Sequence, residues 1–410
     1  MKRLLAASVA SVCLLGSVMF GVGSAGAAPL PNSTTVTPIV GTQMTYGWSL
    51  ASDDTYVWAA DNAGGTGGTG KLLRIDITTS DVTTINDSSF NGPKGIASSG
   101  TKVVISNFDG NSVSVVDVAT SQVTEVTSSD FVKPFAVIWD GANFWVANDV
   151  SSTSGPGLVE LDANGNVVGS VTDPSLSPYN YGFNSIMSPD GTYLWVGSKT
   201  PNGSCGGGCL IKVRLSDRSV VDVLTYSNVS APDVVFVAGG KVYLADDSFY
   251  SSINIFDPAS NSWSDVTDSN VIDDWYSAAS DGTTLYVAQT NGCPTLQCIP
   301  ALSTADASLS QFTNSTFQSH AAGHYGALTW ARGCLWWLSA YAAVDPALLR
   351  ICDSPTPPPT TTTTAPTTTT TAAGLAKTGG SVTPLLALSG GLLLLGVALR
   401  STVRRRVRKA

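Results

Sequence analysis

A unit ending in a hydrophobic strand and a small polar residue recurs seven times along this chain. The copies are Leu72-Leu73-Arg74-Ile75-Asp76, Ser114-Val115-Val116-Asp117, Val159-Glu160-Leu161-Asp162, Val213-Arg214-Leu215-Ser216, Asn254-Ile255-Phe256-Asp257, Pro300-Ala301-Leu302-Ser303 and Leu348-Leu349-Arg350-Ile351-Cys352. Their last residues are spaced by 41, 45, 54, 41, 46 and 49 positions. Such a period marks a stack of equivalent supersecondary units rather than one folded core. Each unit reads as four short strands, a to d. In the second they are Gly95–Ser98, Lys102–Ser106, Ser112–Asp117 and Val123–Val126, rich in β-branched residues and separated by Gly, Asn or Asp turns.

Strand b recurs as Tyr56-Val57-Trp58-Ala59, Phe144-Trp145-Val146-Ala147, Leu194-Trp195-Val196-Gly197, Val242-Tyr243-Leu244-Ala245, Leu285-Tyr286-Val287-Ala288 and Leu335-Trp336-Trp337-Leu338. Aromatics at equivalent places are read as packing between sheets. The turn-strand DG-x-x-hydrophobic-W/Y-V-A with the later hydrophobic-x-x-D resembles the YVTN, NHL and streptogramin-lyase-like seven-bladed β-propellers over residues 35–353. The resemblance implies an all-β ring of seven sheets and leaves function open, since such propellers bind, scaffold or catalyse. The seventh unit ends after strand c. The stretch Thr35–Val40 is therefore expected to supply its strand d and clasp the first blade to the last, with Pro38 on an outer edge.

The ends read as processing signals. Residues 1–27 combine Lys2 and Arg3, an apolar run and Ala25-Gly26-Ala27, the pattern of a secretory signal peptide; a retained N-terminal anchor is the alternative. Residues 354–374 are nearly all Thr and Pro, too polar to fold, and would form an extended stalk of about 60 Å. Leu375-Ala376-Lys377-Thr378-Gly379 follows, then an apolar segment at 382–399 long enough for a transmembrane helix. The tail 400–410 has six basic residues and no acid, which places it in the cytoplasm. This order resembles the sortase sorting signal of Gram-positive surface proteins, with LAKTG for the common LPXTG, a form used by actinobacteria. The resemblance implies sortase attack at Thr378–Gly379 and transfer to a peptidoglycan precursor, giving a secreted, cell-wall-anchored protein. It would touch the membrane only through 382–399, before sorting. The alternative is a plain single-span membrane protein.

Cleaved at both signals, the chain keeps 13 basic and all 30 acidic residues, a formal charge of −17. Such a surface argues against nucleic acid as a partner. Six cysteines remain outside the signal, in close pairs Cys205/Cys209, Cys293/Cys298 and Cys334/Cys352. Export favours three local disulfides over zinc, because the pairs sit in different units.

The long b–c and d–a connections lie on one face of such a ring, where insertions collect function. Phe90, Phe131, Leu176, Val229, Val271 and Phe317 recur at one d–a position and are read as packing. Just before strand a the units instead differ: Lys94, Phe135, Asn184, Asp233, Tyr276 and Tyr325 are the binding-face candidates. The only histidines, His320 and His324, fall in His-Ala-Ala-Gly-His and are candidates for metal ligation or base catalysis. No Glu follows the first histidine, as an HExxH motif requires, and Gly323 argues against a helix there. No cofactor is expected. Asp61, Asp149, Asp246 and Asp247 begin b–c loops and offer carboxylates to a divalent cation, although no calcium loop motif is present. Three functions are compatible with these residues. They are a wall-anchored binding, adhesion or scaffold module for an extracellular glycan or protein, an extracellular lyase or hydrolase with a His-centred site, and a passive wall component.

Overall fold

The computed structural model describes residues 29–353 apart from 43, 63–68, 151–154, 177–185, 199–207, 230–231, 247–251, 269–274, 290–297, 322–325 and 340–346. The signal, stalk, sorting motif and predicted membrane segment lie outside the described residues. No described helix is long and apolar enough to cross a membrane. The chain divides into two compact units, 1–355 and 356–410, and every described residue belongs to the first.

Seven four-stranded antiparallel sheets follow one another. Their a strands are Gly47–Ser52, Pro93–Ser98, Pro134–Trp139, Met187–Pro189, Pro232–Ala238, Trp275–Ser280 and Gly326–Ala331. These contact each other in sequence order and close from the last to the first, so they line the centre of a seven-bladed propeller. The closing strand is the expected one. Thr35–Ile39 pairs antiparallel with Leu348–Cys352, outermost in the sheet of Gly326–Ala331 and Cys334–Ser339. Pro38 sits opposite Leu349 on that edge, where its missing N–H costs no ladder bond.

The core is seven cores. Each apolar cluster lies at one blade junction: Trp58 with Val103 and Ile105 between blades one and two, Trp195 with Val235 and Leu244 between four and five. The first and last blades share one as well, where Ile39, Leu50 and Val57 meet Trp336 and Leu338. Phe90, Phe131, Leu176, Val229 and Phe317 are all buried, in line with a packing role; Val271 lies outside the described residues.

The repeated Asp of the a–b turn explains how a strand can carry a buried indole. Asp53 accepts from the backbone N–H of Thr55 and Tyr56 and, on its other oxygen, from Trp58 Nε1 at 2.9 Å. Asp140 does the same for Ala142, Asn143 and Trp145 Nε1, and Asp190 for Thr192, Tyr193 and Trp195 Nε1. Asp281 holds Thr283, Thr284 and the Tyr286 hydroxyl. One carboxylate thus closes the turn and satisfies the only polar atom of a Trp that is at most 1% exposed. Blade seven departs from this. Its turn is Arg332-Gly333, and Trp336 Nε1 is buried with no acceptor among the described residues.

A disulfide joins Cys334 to Cys352, which face each other across strands b and c of blade seven. Cys209 and Cys298 are disulfide-bonded too; their expected partners, Cys205 and Cys293, lie outside the described residues. One local expectation is corrected. The chain is helical over Ser315–Ala321, including His320. Asn314 Oδ1 caps it by accepting from Thr316 N and Phe317 N, and Phe317 anchors it against Trp337 and Phe312. Gly323 lies beyond its end and does not oppose it.

Candidate functional site

The start of strand a is where the blades stop repeating, and the pairing register gives the reason. In blades one, three, five and six one residue there has no partner on strand b, between Gly47 and Ser49, Pro134 and Ala136, Pro232 and Val234, and Trp275 and Ser277. Blade two has two residues, Lys94 and Gly95, between Pro93 and Ile96, opposite the single Ser106. These are β-bulges, which re-aim a side chain out of the sheet alternation. The bulged residues are Trp48, Lys94, Phe135, Asp233 and Tyr276. Four are among the candidates singled out by their variation. Trp48 is the one not among them, and its signal in the sequence is the alignment of Tyr46-Gly47-Trp48 in the first unit with the starts of strand a in the others.

These residues are not equally presented. Phe135 is fully buried and belongs to the core between blades three and four. Asp233 is also buried, whereas Trp48 and Tyr276 are half-buried. Asn184, Tyr325 and His324 lie outside the described residues.

Lys94 is the unusual one, a lysine only 8% exposed. Its Nζ lies 3.6 Å from the ring centroid of Phe108 and 4.6 Å from that of Trp48. Burial pushes its ammonium down to about 8; Asp109 and Asp149 oppose that shift and Lys133 adds to it. Asp109 owes its place to Gly92, whose φ is +66° and where a Cβ would lie 2.4 Å from Asp109 Oδ2. Lys133 itself holds a left-handed φ of 45°, its N–H bonded to Asn111 Oδ1.

Beneath this face, last residues of strand b tether the d–a loops. Asp61 accepts from Thr45 N and Tyr46 N and pairs with Lys71 at 3.6 Å. Asn148 spans Val132 N, Asp130 O and Pro156 O, and Ser198 donates to Ser175 O. The Asp61 carboxylate is thus engaged in holding its loop. Asp149 is half-buried near Lys94; Asp246 ends strand b of blade five, and Asp247 lies outside the described residues. Among the described residues no three His, Cys, Asp or Glu side chains gather as a metal site.

The central channel holds a cavity of about 270 Å³, walled mainly by Leu50, Ile138, Met187, Val235, Leu328 and Trp330. Serines stitch its wall from blade to blade, Ser188 Oγ accepting from Val237 N and Ser277 Oγ from Leu328 N. His320 stands apart on its helix, Nδ1 2.8 Å from Thr316 O.

The chain matches no protein-family model, and no curated protein matches it. Solved structures share its architecture. Hydrazine synthase of Kuenenia stuttgartiensis superposes with a TM-score of 0.58 at 15% identity, over 77% of this chain and 97% of that one. Virginiamycin B lyase of Staphylococcus aureus gives 0.54 at 10% identity, over 78% and 98%. A catalytically inactive form of that lyase with quinupristin gives 0.56 at 10%, over 78% and 99%. At these identities the likeness is one of fold.

Proposed function

We propose that this chain is an exported surface protein whose propeller is a binding module, held to the cell wall through Thr378 of Leu375–Gly379. The face with the d–a and b–c connections is the one that meets the ligand, an extracellular glycan or protein. One observation carries this reading: bulges at equivalent places hold Trp48, Lys94, Asp233 and Tyr276, where scaffold demands alone would repeat one side chain; the fifth, Phe135, is buried in the core. Aromatic rings beside charged groups suit a contact surface. The test is an array of glycans and surface proteins probed with chain 29–353, secreted so that its cysteines oxidise. Tyr276→Ala and Lys94→Met should weaken the specific signals, and substitutions at the a–b turns should not. Signals that survive both face variants would sink the reading. For the anchor, Thr378→Ala should abolish covalent wall linkage; linkage that persists refutes it.

A second reading is an extracellular lyase or hydrolase, favoured by one contact. A carbonyl only accepts, so the bond to Thr316 O puts the proton of neutral His320 on Nδ1 and leaves Nε2 as a base. Incubation with quinupristin decides it. Turnover lost in His320→Ala supports the enzyme, and no turnover by the wild type removes this substrate.

A further inference from the structure

Where blades one, two and three meet, the ammonium of a largely buried lysine sits among aromatic rings. The Lys94 ammonium faces the rings of Phe108 and Trp48, and Lys133 Nζ approaches Phe108 from 5.7 Å. Two π faces offset part of the cost of burying a cation. They do not use its three N–H donors. Among the described residues no oxygen accepts a hydrogen bond from Lys94 Nζ.

The position is rigid. Ser49 Oγ of blade one donates to the Lys94 carbonyl, and Ser106 Oγ accepts from Gly95 N at 2.7 Å. Gly95 is required, because a Cβ there would lie 2.6 Å from Ala136 Cα in the next blade. A backbone fixed this way has little freedom to lose when a ligand arrives.

Charge narrows the ligand. Asp109 and Asp149 lie near enough to act on Lys94, as does Lys133. A strongly anionic ligand would meet both carboxylates and the acidic surface beyond them. What fits is a neutral molecule rich in acceptor oxygens, with an apolar face for half-buried aromatic rings. We infer that Lys94 anchors a subsite for a neutral saccharide, whose hydroxyl or carbonyl oxygen accepts from Nζ while its C–H face packs on Trp48 and Phe108. This assignment rests on the reading of this face as the binding surface.

Calorimetric titration of chain 29–353 tests it, with cellotetraose and N-acetylchitotetraose as neutral probes and tetragalacturonate as the charged counterpart. At least one neutral probe should saturate the wild type. Lys94→Met should weaken it by about tenfold or more, as expected for losing a bond to a charged donor. Trp48→Ala should weaken it too, and tetragalacturonate should bind less tightly than the neutral probe. Should Lys94→Met fail to fold, Lys94→Gln takes its place. The inference falls if neither neutral probe saturates, if the folded Lys94 variant binds like the wild type, or if tetragalacturonate binds most tightly. Array signals lost in Tyr276→Ala but kept in Lys94→Met would preserve the face and overturn only this subsite.

Discussion

At the a–b end of the strands, blades one, three, four and six use one arrangement: an Asp closes the turn and takes the buried donor of the aromatic five residues on. At the d–a end, blades one, two, three, five and six carry Trp48, Lys94, Phe135, Asp233 and Tyr276 at equivalent bulges. In blades one, three and six both ends belong to the same a strand. The difference therefore separates what the ring needs from what it displays. Repetition marks the scaffold, and loss of repetition over a conserved backbone irregularity marks the surface with another task.

Substitutions at the repeating end should have the largest effects on stability. Asp140→Ala removes two turn bonds and leaves Trp145 Nε1 buried without an acceptor. It should cost about 3 kcal/mol in urea unfolding, and Asp53→Ala and Asp190→Ala should cost similar amounts. Unequal losses would show that the three turns only look alike. Cys334→Ser with Cys352→Ser opens a bridge of sequence separation 18 and should cost about 3 kcal/mol. That bridge lies in a blade that lacks the carboxylate turn. Trp336→Phe should accordingly be about 1 kcal/mol milder than Trp145→Phe, since only Trp145 forfeits a satisfied donor.

Acid sharpens the same contrast. The c–d turn carboxylates of Asp76 and Asp257 are held below the usual range by backbone N–H groups, Thr79 and Thr78 for the first, Ala259 and Ser260 for the second. Hydrogen bonds to Ser219 and Ser308 take Asp217 and Asp306 down to about 2. Depressed carboxyl pKa values contribute stability above the unfolded value near pH 4, and this is lost as pH falls through the folded values. The urea midpoint should therefore hold from pH 7 to about 5 and decline toward pH 2. The smallest effect belongs to the displayed end. Lys94→Met removes a desolvated charge for an apolar chain of similar size and should leave the melting temperature unchanged or slightly higher.

Much of the ring was readable because it repeats. Trp58, Trp145, Trp195 and Trp336 announced buried b strands, and Thr35–Val40 was recognisable as the missing strand of blade seven. The bulges were not legible, because an unpaired residue exists only relative to its partner strand. Variation still pointed to four of them, yet it could not tell buried Phe135 from half-buried Tyr276. The Lys94–Phe108 contact joins a d–a bulge to a b–c turn, and no spacing encodes it. The helix at Ser315–Ala321 is signalled in the sequence by Asn314 at its cap, and Gly323, which suggested the opposite, lies beyond its end.

Two lysines offer the most direct test of the division between the ends. Lys94 lies over Trp48 and Phe108 at the displayed end, and Lys212 lies over Tyr193 and Trp195, 4.0 and 4.9 Å from their centroids, beside an Asp-closed turn. Lys94→Met and Lys212→Met make the same chemical change in similar aromatic settings. Titrated with the neutral saccharide that saturates the wild type, Lys94→Met should lose affinity by about tenfold and Lys212→Met should match the wild type. Equal affinities for the two variants, or a loss confined to Lys212→Met, would contradict the account.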